Sequence, residues 1–317
     1  MDPVAFLADL EAKPQWLRSL ADRLPGTVWP VPSGQRLLLT GMGSSWFAAD
    51  VAARRMRRVG LPAVADLASV EASWPSAPDL TVVGITASGG SEETLGLLNA
   101  HLGASRTVVL TNTDGLQLPA QHTVLMHAGP EAGGVACRSY LHTLVLLLHL
   151  EHHLAGSVPD LPGRVRAAAD AAEHLLGTRE QWLGPVLHHL GGPNGCWLLA
   201  PAERMGNASQ GALMLREGPR RQADACETGD WSHVDVYLTK TLDYRALLFG
   251  GSARDGAALQ WLRDRGSRVV MVGHSGAATG TEVVHTVRHP HDHDPIVALL
   301  TEVLVAELAA AAWWSAQ

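Results

Sequence analysis

Two kinds of segment alternate along most of the chain, and each has its own pattern of apolar and polar residues. Short apolar runs rich in β-branched residues are followed by longer segments whose apolar residues recur every three to four positions,. Strands that alternate with helices predict a parallel sheet with right-handed crossovers and helices on both faces. The predicted strands lie near residues 36–40, 63–67, 80–85, 107–112, 123–127, 196–200, 234–238, 244–249, 268–272 and 283–287.

The helical segments divide the chain into three parts. Residues 2–24 carry an apolar stripe that Pro14 splits into two short helices,. The second half repeats the strand–helix alternation of the first half, as a duplicated α/β unit would. We therefore expect an amino-terminal helical segment over 1–29, a first α/β domain over 30–158, and a connecting helix with a second α/β domain over 159–317. The remaining helices are predicted near 46–59, 140–154, 163–190, 206–216, 253–265 and 295–314.

Composition narrows the class of protein. A length of 317 residues with 46% hydrophobic content suits two domains of about 150 residues each,. The formal net charge of −7 offers no positive field for nucleic acid,. Three widely spaced cysteines make neither a disulfide framework nor a zinc site, and histidine or charge interrupts the longest apolar runs,. These features predict a cytoplasmic protein without membrane or nucleic-acid partners.

The stretch 80–94 carries the clearest chemical signal. A buried strand runs into Thr86-Ala-Ser88-Gly-Gly-Ser91, and a helix with acidic residues follows. Backbone N–H groups at a helix N-terminus attract an anion, and glycines allow its close approach. Together with the Thr86, Ser88 and Ser91 hydroxyls, they favour a phosphate. The alternative is an ordinary loop in which Ser91 caps the helix.

A second polar cluster follows the first predicted strand. Gly41-Met-Gly43-Ser44-Ser45 has the beginning of a dinucleotide fingerprint, but Trp46 stands where the third glycine belongs,. The incomplete fingerprint disfavours NAD. Because ligands of such sheets lie at the carboxyl ends of the strands, Ser44 and Ser45 are expected to share an edge with Thr86–Ser91.

In these loops and in two later segments, the chain resembles the sugar isomerase (SIS) family. The resemblance is to its double-SIS arrangement, found in the isomerase half of glucosamine-6-phosphate synthase, and it covers nearly the whole chain. The order and spacing of four blocks carry it: Gly43-Ser44-Ser45; Thr86-Ala-Ser88-Gly-Gly-Ser91-Glu-Glu-Thr94; Ala128-Gly-Pro-Glu131 with Val135-Ala136; and Ala212-Leu-Met-Leu-Arg-Glu217 leading to Glu227-Thr-Gly-Asp-Trp-Ser-His233.

The resemblance implies a role for each matching residue. Two flavodoxin-like α-β-α domains would bind a sugar phosphate without a cofactor. Glu217 would move a proton between C1 and C2, and His233 would open the sugar ring, often across a homodimer interface. The substrate contacts would come from Ser44 and the Thr86, Ser88 and Ser91 loop on the phosphate, and from Ser45, Val135, Cys137 and Ser139 along the sugar.

General acid–base chemistry also favours Glu217 as the base, independently of the family resemblance. Aldose–ketose interconversion needs a carboxylate base beside an acidic C–H. The apolar side chains of Leu213 and Met214 would partly desolvate Glu217 and raise its pKa,. The alternatives are a solvated carboxylate at a helix end and, for His233, one more structural histidine among 16.

Several departures from the family pattern bear on mechanism. The chain ends in Trp-Trp-Ser-Ala-Gln317 without the lysine tail that forms a Schiff base, and its only lysines are Lys13 and Lys240. We therefore expect an enediolate route through Glu217. Gly90 replaces a carboxylate of the phosphate loop, and the chain has no glutaminase domain.

Two functions remain open on these residues. One is an isomerase or a deaminase/deglycase acting on an aminohexose or hexose 6-phosphate. The other is a non-catalytic phosphosugar sensor, which the missing lysine tail favours. The histidine-rich stretch from His289 to Asp294 is interpreted as a solvated loop in which Asp294 caps the last helix, and no metal site is expected.

Overall fold

The computed structural model describes residues 1–276 and 285–317. The described chain forms two compact units. The first-sheet unit comprises Gln15–Pro130 and Ala136–Val165. The second-sheet unit comprises Met1–Pro14, Glu131–Val135 and Arg166–Gln317.

The first-sheet unit is built on a five-stranded parallel sheet. Its strand order is β2-β1-β3-β4-β5, so the chain crosses from one edge to the centre and then out to the other edge. The central strands are apolar and fully buried, as expected for a sheet covered by helices on both faces,. The strands are β1 (Arg36–Gly41), β2 (Ala63–Leu67), β3 (Leu80–Ile85), β4 (Arg106–Thr111) and β5 (His122–Leu125).

Four helices belong mainly to this unit, and a fifth begins in it. Among them, the nearly continuous apolar sequence of the 18-residue α5 is buried along most of its length, so this helix forms part of the core. Inside the unit, Arg55 and Glu151 form a buried ion pair with an Nε–Oε2 distance of 3.0 Å. The helices are α2 (Lys13–Arg23), α3 (Ser44–Arg58), α4 (Glu92–His101), α5 (Arg138–Ala155) and α6 (Leu161–Gly177).

The second-sheet unit repeats this topology. Its five parallel strands have the order β10-β9-β8-β6-β7, which matches the first sheet strand for strand. The duplication expected from the sequence is therefore confirmed. The strands are β6 (Cys196–Ala200), β7 (Ala223–Glu227), β8 (Arg245–Phe249), β9 (Arg268–Val272) and β10 (His285–Val287). The helices are α1 (Pro3–Glu11), α7 (Arg179–Leu190), α8 (Met205–Glu217), α9 (Thr228–Trp231), α10 (Asp255–Asp264), α11 (Pro295–Thr301) and α12 (Val303–Ser315).

One predicted strand of the second half was wrong. The strand expected at 234–238 is a 3-10 helix over Asp235–Lys240, in which the Thr239 hydroxyl and the Arg265 guanidinium both donate to the Val236 carbonyl. The edge strand is instead β7, in which Asp224 and Glu227 interrupt the apolar pattern by which a strand is predicted. The helix expected over 295–314 is present as α11 and α12, which the fully buried Glu302 joins in helical conformation (φ −61°, ψ −31°). Positions 283 and 284 of the last predicted strand lie outside the described residues.

The pair α11–α12 is the most apolar helical stretch described. Pro295–Ser315 is long and apolar enough to cross a membrane by length and composition, but 89% of its most apolar window is buried inside the fold. A core helix passes the same test. Its glutamates accordingly have buried partners, since Arg204 Nε donates to Glu302 at 2.9 Å and Lys13 pairs with Glu307.

Candidate functional site

The two hydroxyl clusters of the first-sheet unit lie at one edge of the sheet. Strands β1 and β3 are parallel neighbours, and Gly41 at the end of β1 is paired with Ile85 at the end of β3. A Cβ atom at Gly41 would stand 2.7 Å from Ser45 Cβ and 3.0 Å from the Ile85 oxygen. The missing side chain at Gly41 therefore lets α3 begin directly at this edge, with Ser44 and Ser45 half-buried in its first turn.

The hydroxyls of the loop 86–91 partly serve to shape the loop. Thr86 is buried and its Oγ1 accepts the Ser91 N–H at 3.4 Å. Ser91 Oγ accepts the Thr94 N–H at 3.3 Å, so Ser91 is the N-cap of α4 that the alternative interpretation expected. Ser88 is exposed, and its Oγ accepts the Gly90 N–H at 3.2 Å. A ligand of this loop would therefore meet the Ser88 hydroxyl and backbone donors first.

The end of β4 holds the backbone of this loop in one orientation. The Ala87 carbonyl accepts three hydrogen bonds, from the Asn112 N–H at 2.9 Å and from the Thr111 and Thr113 hydroxyls at 3.2 and 3.4 Å. In a planar trans peptide the next N–H points away from that carbonyl. The Ser88 N–H thus faces away from β4, and it has no acceptor in the described part of the chain. Such a donor beside a helix N-terminus suits an anion.

Asn112 links this loop to a second segment of the same edge, a role that the sequence did not reveal. Its side-chain amide donates to the Gly129 carbonyl and accepts the Ala128 N–H, both at 2.7 Å. Its backbone N–H donates to the Ala87 carbonyl, as described above. One residue therefore fixes the Thr86–Ser91 loop and the Ala128–Gly129 turn together. A polar residue directly after a buried strand was the available signal, but its partners depend on the tertiary structure.

Replacing Asn112 by alanine is expected to weaken the binding of inorganic phosphate about 10-fold or more, because the Ala128–Gly129 turn loses both side-chain hydrogen bonds that tie it to the end of β4,. The backbone N–H that holds Ala87 remains in this variant. Asn112→Asp keeps the acceptor but not the donor, so an intermediate loss is expected. Isothermal titration calorimetry measures both, with the exposed Asn99→Ala as the matched control. Phosphate affinities equal to that of the wild type in both Asn112 variants would show that the loop holds its shape without this residue.

In the second-sheet unit, Glu217 is the last residue of α8 and is half-buried. Burial raises the pKa of Glu217, and the neighbouring Arg216 opposes this effect. The predicted direction of the pKa is thus confirmed. The Glu217 carboxylate receives no hydrogen bond from the described part of the chain. A partly desolvated carboxylate without a bound donor is suited to accept a proton.

A chain of contacts brings the segment Glu131–Val135 toward the Glu217 end of α8. A Cβ at Gly218 would lie 2.8 Å from the Trp314 ring, and Trp314 contacts Phe6 of α1 at a centroid distance of 5.9 Å. A Cβ at Gly133 would lie 2.5 Å from the Phe6 Cα. The Asp9 carboxylate also accepts the Gly133 N–H at 2.7 Å. Helix α1 therefore positions this segment, which ends at the buried Val135.

The other two predicted sugar contacts lie at the start of α5 in the first-sheet unit. Cys137 occupies the N-cap position and is fully buried, and Ser139 is 2% exposed. The Ser139 carbonyl accepts the Thr143 hydroxyl at 2.8 Å.

His233 follows α9 and lies in a cavity of about 560 Å³. The residue is exposed, and its N–H donates to the Asp230 carbonyl at 2.8 Å. Trp231, two residues before His233, is fully buried, and its indole N–H donates to the Tyr244 hydroxyl at 2.7 Å. This contact fixes the backbone of the turn that carries His233. The polar lining of the cavity consists of Glu227, Thr228, Asp230, Ser232, His233 and Arg254.

Glu217 and His233 lie at opposite edges of the second sheet. Strand β7 is parallel to β6, and its preceding residue Gln222 bonds to Cys196 at the amino end of β6. Glu217 comes shortly before β7 and His233 shortly after it, so a five-residue strand, about 16 Å long, separates the two edges,. One copy of this unit does not bring the two side chains together.

The histidine-rich stretch has the predicted helix cap. Asp294 Oδ1 accepts the N–H groups of Ile296 at 2.8 Å and Val297 at 3.3 Å, so Asp294 caps α11 as expected. Among residues 1–276 and 285–317, no group of three or more His, Cys, Asp or Glu side chains is arranged to hold a metal ion.

Sequence comparison finds relatives that are longer than this chain, while no family model matches it. The glutamine–fructose-6-phosphate aminotransferase (isomerizing) of Sulfolobus acidocaldarius is 23% identical over 249 residues, which cover 74% of this chain and 41% of that protein. The enzyme of the same name from Methanothermobacter thermautotrophicus is 24% identical over 279 residues, covering 84% and 47%. The chain thus spans less than half the length of these relatives.

Solved structures match over nearly the whole chain. The C-terminal domain of glucosamine-fructose-6-phosphate aminotransferase from Francisella tularensis has a TM-score of 0.79 at 15% identity and covers 98% of this chain and 96% of that one. Tagatose-6-phosphate ketose/aldose isomerase from Escherichia coli has a TM-score of 0.79 at 18% identity, covering 98% and 94%. Glucosamine-6-phosphate deaminase from Thermotoga maritima has a TM-score of 0.77 at 14% identity, with the same coverage.

The two sheets of identical topology and the sequence matches agree with the motifs described above. In sequence and in fold, the chain resembles the double-SIS proteins, and specifically the isomerase half of the glutamine–fructose-6-phosphate aminotransferases.

Proposed function

We propose that the chain is a cytoplasmic enzyme that binds a hexose or aminohexose 6-phosphate and moves a proton between C1 and C2. The observation that carries this proposal is the state of Glu217, a half-buried carboxylate with a raised pKa and no hydrogen-bond donor in the described chain. The free Ser88 N–H and the hydroxyls at the edge of the first sheet supply the phosphate recognition.

The proposed chemical step needs only a base and a proton carrier. The Glu217 carboxylate takes the proton from C2 of an open-chain aldose, which gives an enediolate. The proton returns to C1 while a second proton moves between the two oxygens, so the product ketose has the same composition. With an amino group at C2, the same proton transfer is followed by hydrolysis that releases ammonia.

The two lysines of the chain support this route over a Schiff base. Lys13 is 1% exposed and pairs with Glu307, and Lys240 lies 5.4 Å from the centroid of the Tyr237 ring on the surface. A Schiff base requires a free amine beside the carbonyl carbon. Neither amine meets this condition as it is placed.

The separation of Glu217 and His233 supports a homodimer. Because the two residues lie at opposite edges of the second sheet, a histidine that opens the sugar ring for Glu217 would come from a second copy of the chain. His233 in its open cavity of about 560 Å³ is available for that role.

The test is a panel of hexose and hexosamine 6-phosphates in D₂O, followed by thermal shift and NMR. Binding with deuterium entering at C1 or C2 is expected for at least one sugar, and it would identify the substrate. Binding without exchange across the panel would support the phosphosugar sensor, the second candidate function, which the absence of a free amine favours. No binding to any sugar phosphate would refute the proposal.

A further inference from the structure

The identical topology of the two sheets gives the phosphate loop a counterpart in the second-sheet unit. Strand β8 occupies the place in the second sheet that β3 has in the first. The loop 86–91 leads from β3 into α4, and the loop 250–254 leads from β8 into α10. Both loops lie at the carboxyl edge of their sheet, where such folds bind ligands.

The donors of the second loop converge on a side chain of the protein itself. Asp255 Oδ2 accepts the N–H groups of Gly251 at 2.6 Å and Ser252 at 3.2 Å, and the Ser275 hydroxyl at 2.9 Å. Asp255 is fully buried, and its Oδ1 has no partner in the described chain. A carboxyl oxygen on which two N–H groups and a hydroxyl converge has the surroundings of a bound anion.

A cation completes this arrangement. The Arg204 guanidinium lies against the same loop, since a Cβ at Gly251 would stand 3.1 Å from its terminal nitrogen. Arg204 is 8% exposed and also donates to the Gly250 carbonyl and to Glu302. Burial raises the pKa of Asp255, whereas the Gly251 N–H, Ser275, the Ser252 N–H and Arg204 lower it.

The corresponding acidic residues of the first loop do not fold back in this way. Glu92 and Glu93 at the start of α4 are both exposed, and Glu93 Oε2 accepts the Ser91 hydroxyl at 3.0 Å rather than the backbone N–H groups of the loop. The Ser88 N–H of that loop has no acceptor in the described part of the chain. The first loop is therefore open to an external anion, and the second is filled.

We propose that residues 250–255 and Ser275 form a second anion cradle whose occupant is the carboxylate of Asp255. Each chain then takes one phosphate, at the loop 86–91. Removing the carboxylate opens the second cradle to a small external anion. Only the statement about the first loop rests on the proposed function.

The experiment is chemical rescue of Asp255→Ala by formate, which carries the same carboxylate group. The variant is expected to melt several degrees below the wild type, and saturating formate is expected to restore roughly 3 °C or more, because it binds the folded state alone. Asp255→Asn fills the cradle with an amide, and Glu92→Ala removes the corresponding residue of the first loop. Neither of these variants should respond to formate more than the wild type does.

A formate response of Asp255→Ala equal to that of the wild type would overturn the proposal. If this variant does not fold, calorimetry on the wild type decides, since one inorganic phosphate per chain is expected and two would overturn the proposal. The formate measurement requires no sugar phosphate, so its failure is distinct from a failure of the proposed function.

Discussion

Glu217→Gln is expected to lower kcat by about 10²- to 10⁴-fold, the usual contribution of a general base. The amide keeps the size of the side chain but cannot take a proton from carbon. Because the phosphate loop is untouched, the Kd for the sugar phosphate should change only a few-fold. Steady-state kinetics and deuterium exchange at C1 and C2 measure the loss, and the exposed Glu180→Gln serves as the matched control.

The pH dependence of kcat/KM is a second test of the role of Glu217. Glu217 acts as a base only when ionised, and burial raises its pKa above that of an ordinary glutamate,. Wild-type kcat/KM should therefore be full above this raised pKa and fall as the pH drops through it. In Glu217→Gln this acid limb should vanish from the residual rate. Unchanged turnover, or an unchanged acid limb in the variant, would exclude Glu217 as the base.

Removing one partner of the buried pair Lys13–Glu307 is expected to lower the free energy of unfolding by about 3–5 kcal/mol. Lys13 is 1% exposed and Glu307 is fully buried, with its Oε1 unpartnered in the described chain. Burial raises the pKa of Glu307, and Lys13 opposes this effect. In Glu307→Gln or Lys13→Met, the remaining charge would stay buried without its partner.

The double variant Lys13→Met/Glu307→Leu distinguishes a loss caused by packing from a loss caused by an unpaired buried charge. Because it leaves no uncompensated charge, it should unfold in urea close to the wild type. Glu11→Gln breaks the exposed pair between Glu11 at the end of α1 and Arg179 at the start of α7 and should cost less than about 1 kcal/mol,. A double variant as unstable as the single variants would mean that packing, rather than the unpaired charge, causes the loss.

The sequence pattern was sufficient for the parts of the fold that depend on local periodicity. Buried strands such as β3 and β6 are nearly continuous apolar runs. The helical pattern over 2–24 divides into α1 and α2 just before Pro14, because the missing N–H and the ring of proline interrupt a continuous helix,. Strand β7 was missed because an edge strand needs few apolar residues, while Val234–Leu238 alternates like a strand but is satisfied locally as a 3-10 helix.

The candidate site was less accessible to sequence reasoning wherever its residues act through distant partners. Thr86, Ser88 and Ser91 can be proposed from the sequence because the loop and the helix cap are local signals. Asn112 was missed because its partners, Ala87, Ala128 and Gly129, come from two other loops of the edge. Only tertiary structure shows that one residue serves both loops, one through its backbone N–H and the other through its side-chain amide.

The assignment of Met1–Pro14 and Glu131–Val135 to the second-sheet unit has a consequence for how the protein is made. Both segments leave the ribosome before Arg166–Gln317, against which they finally pack. During synthesis the first sheet can close as soon as Val165 has emerged, whereas Phe6 of α1 and Lys13, the first residue of α2, must wait unburied. A chain stopped before α12 would leave Lys13 without Glu307 and Phe6 without Trp314, so correct packing of the amino-terminal segment depends on the completion of the last helix.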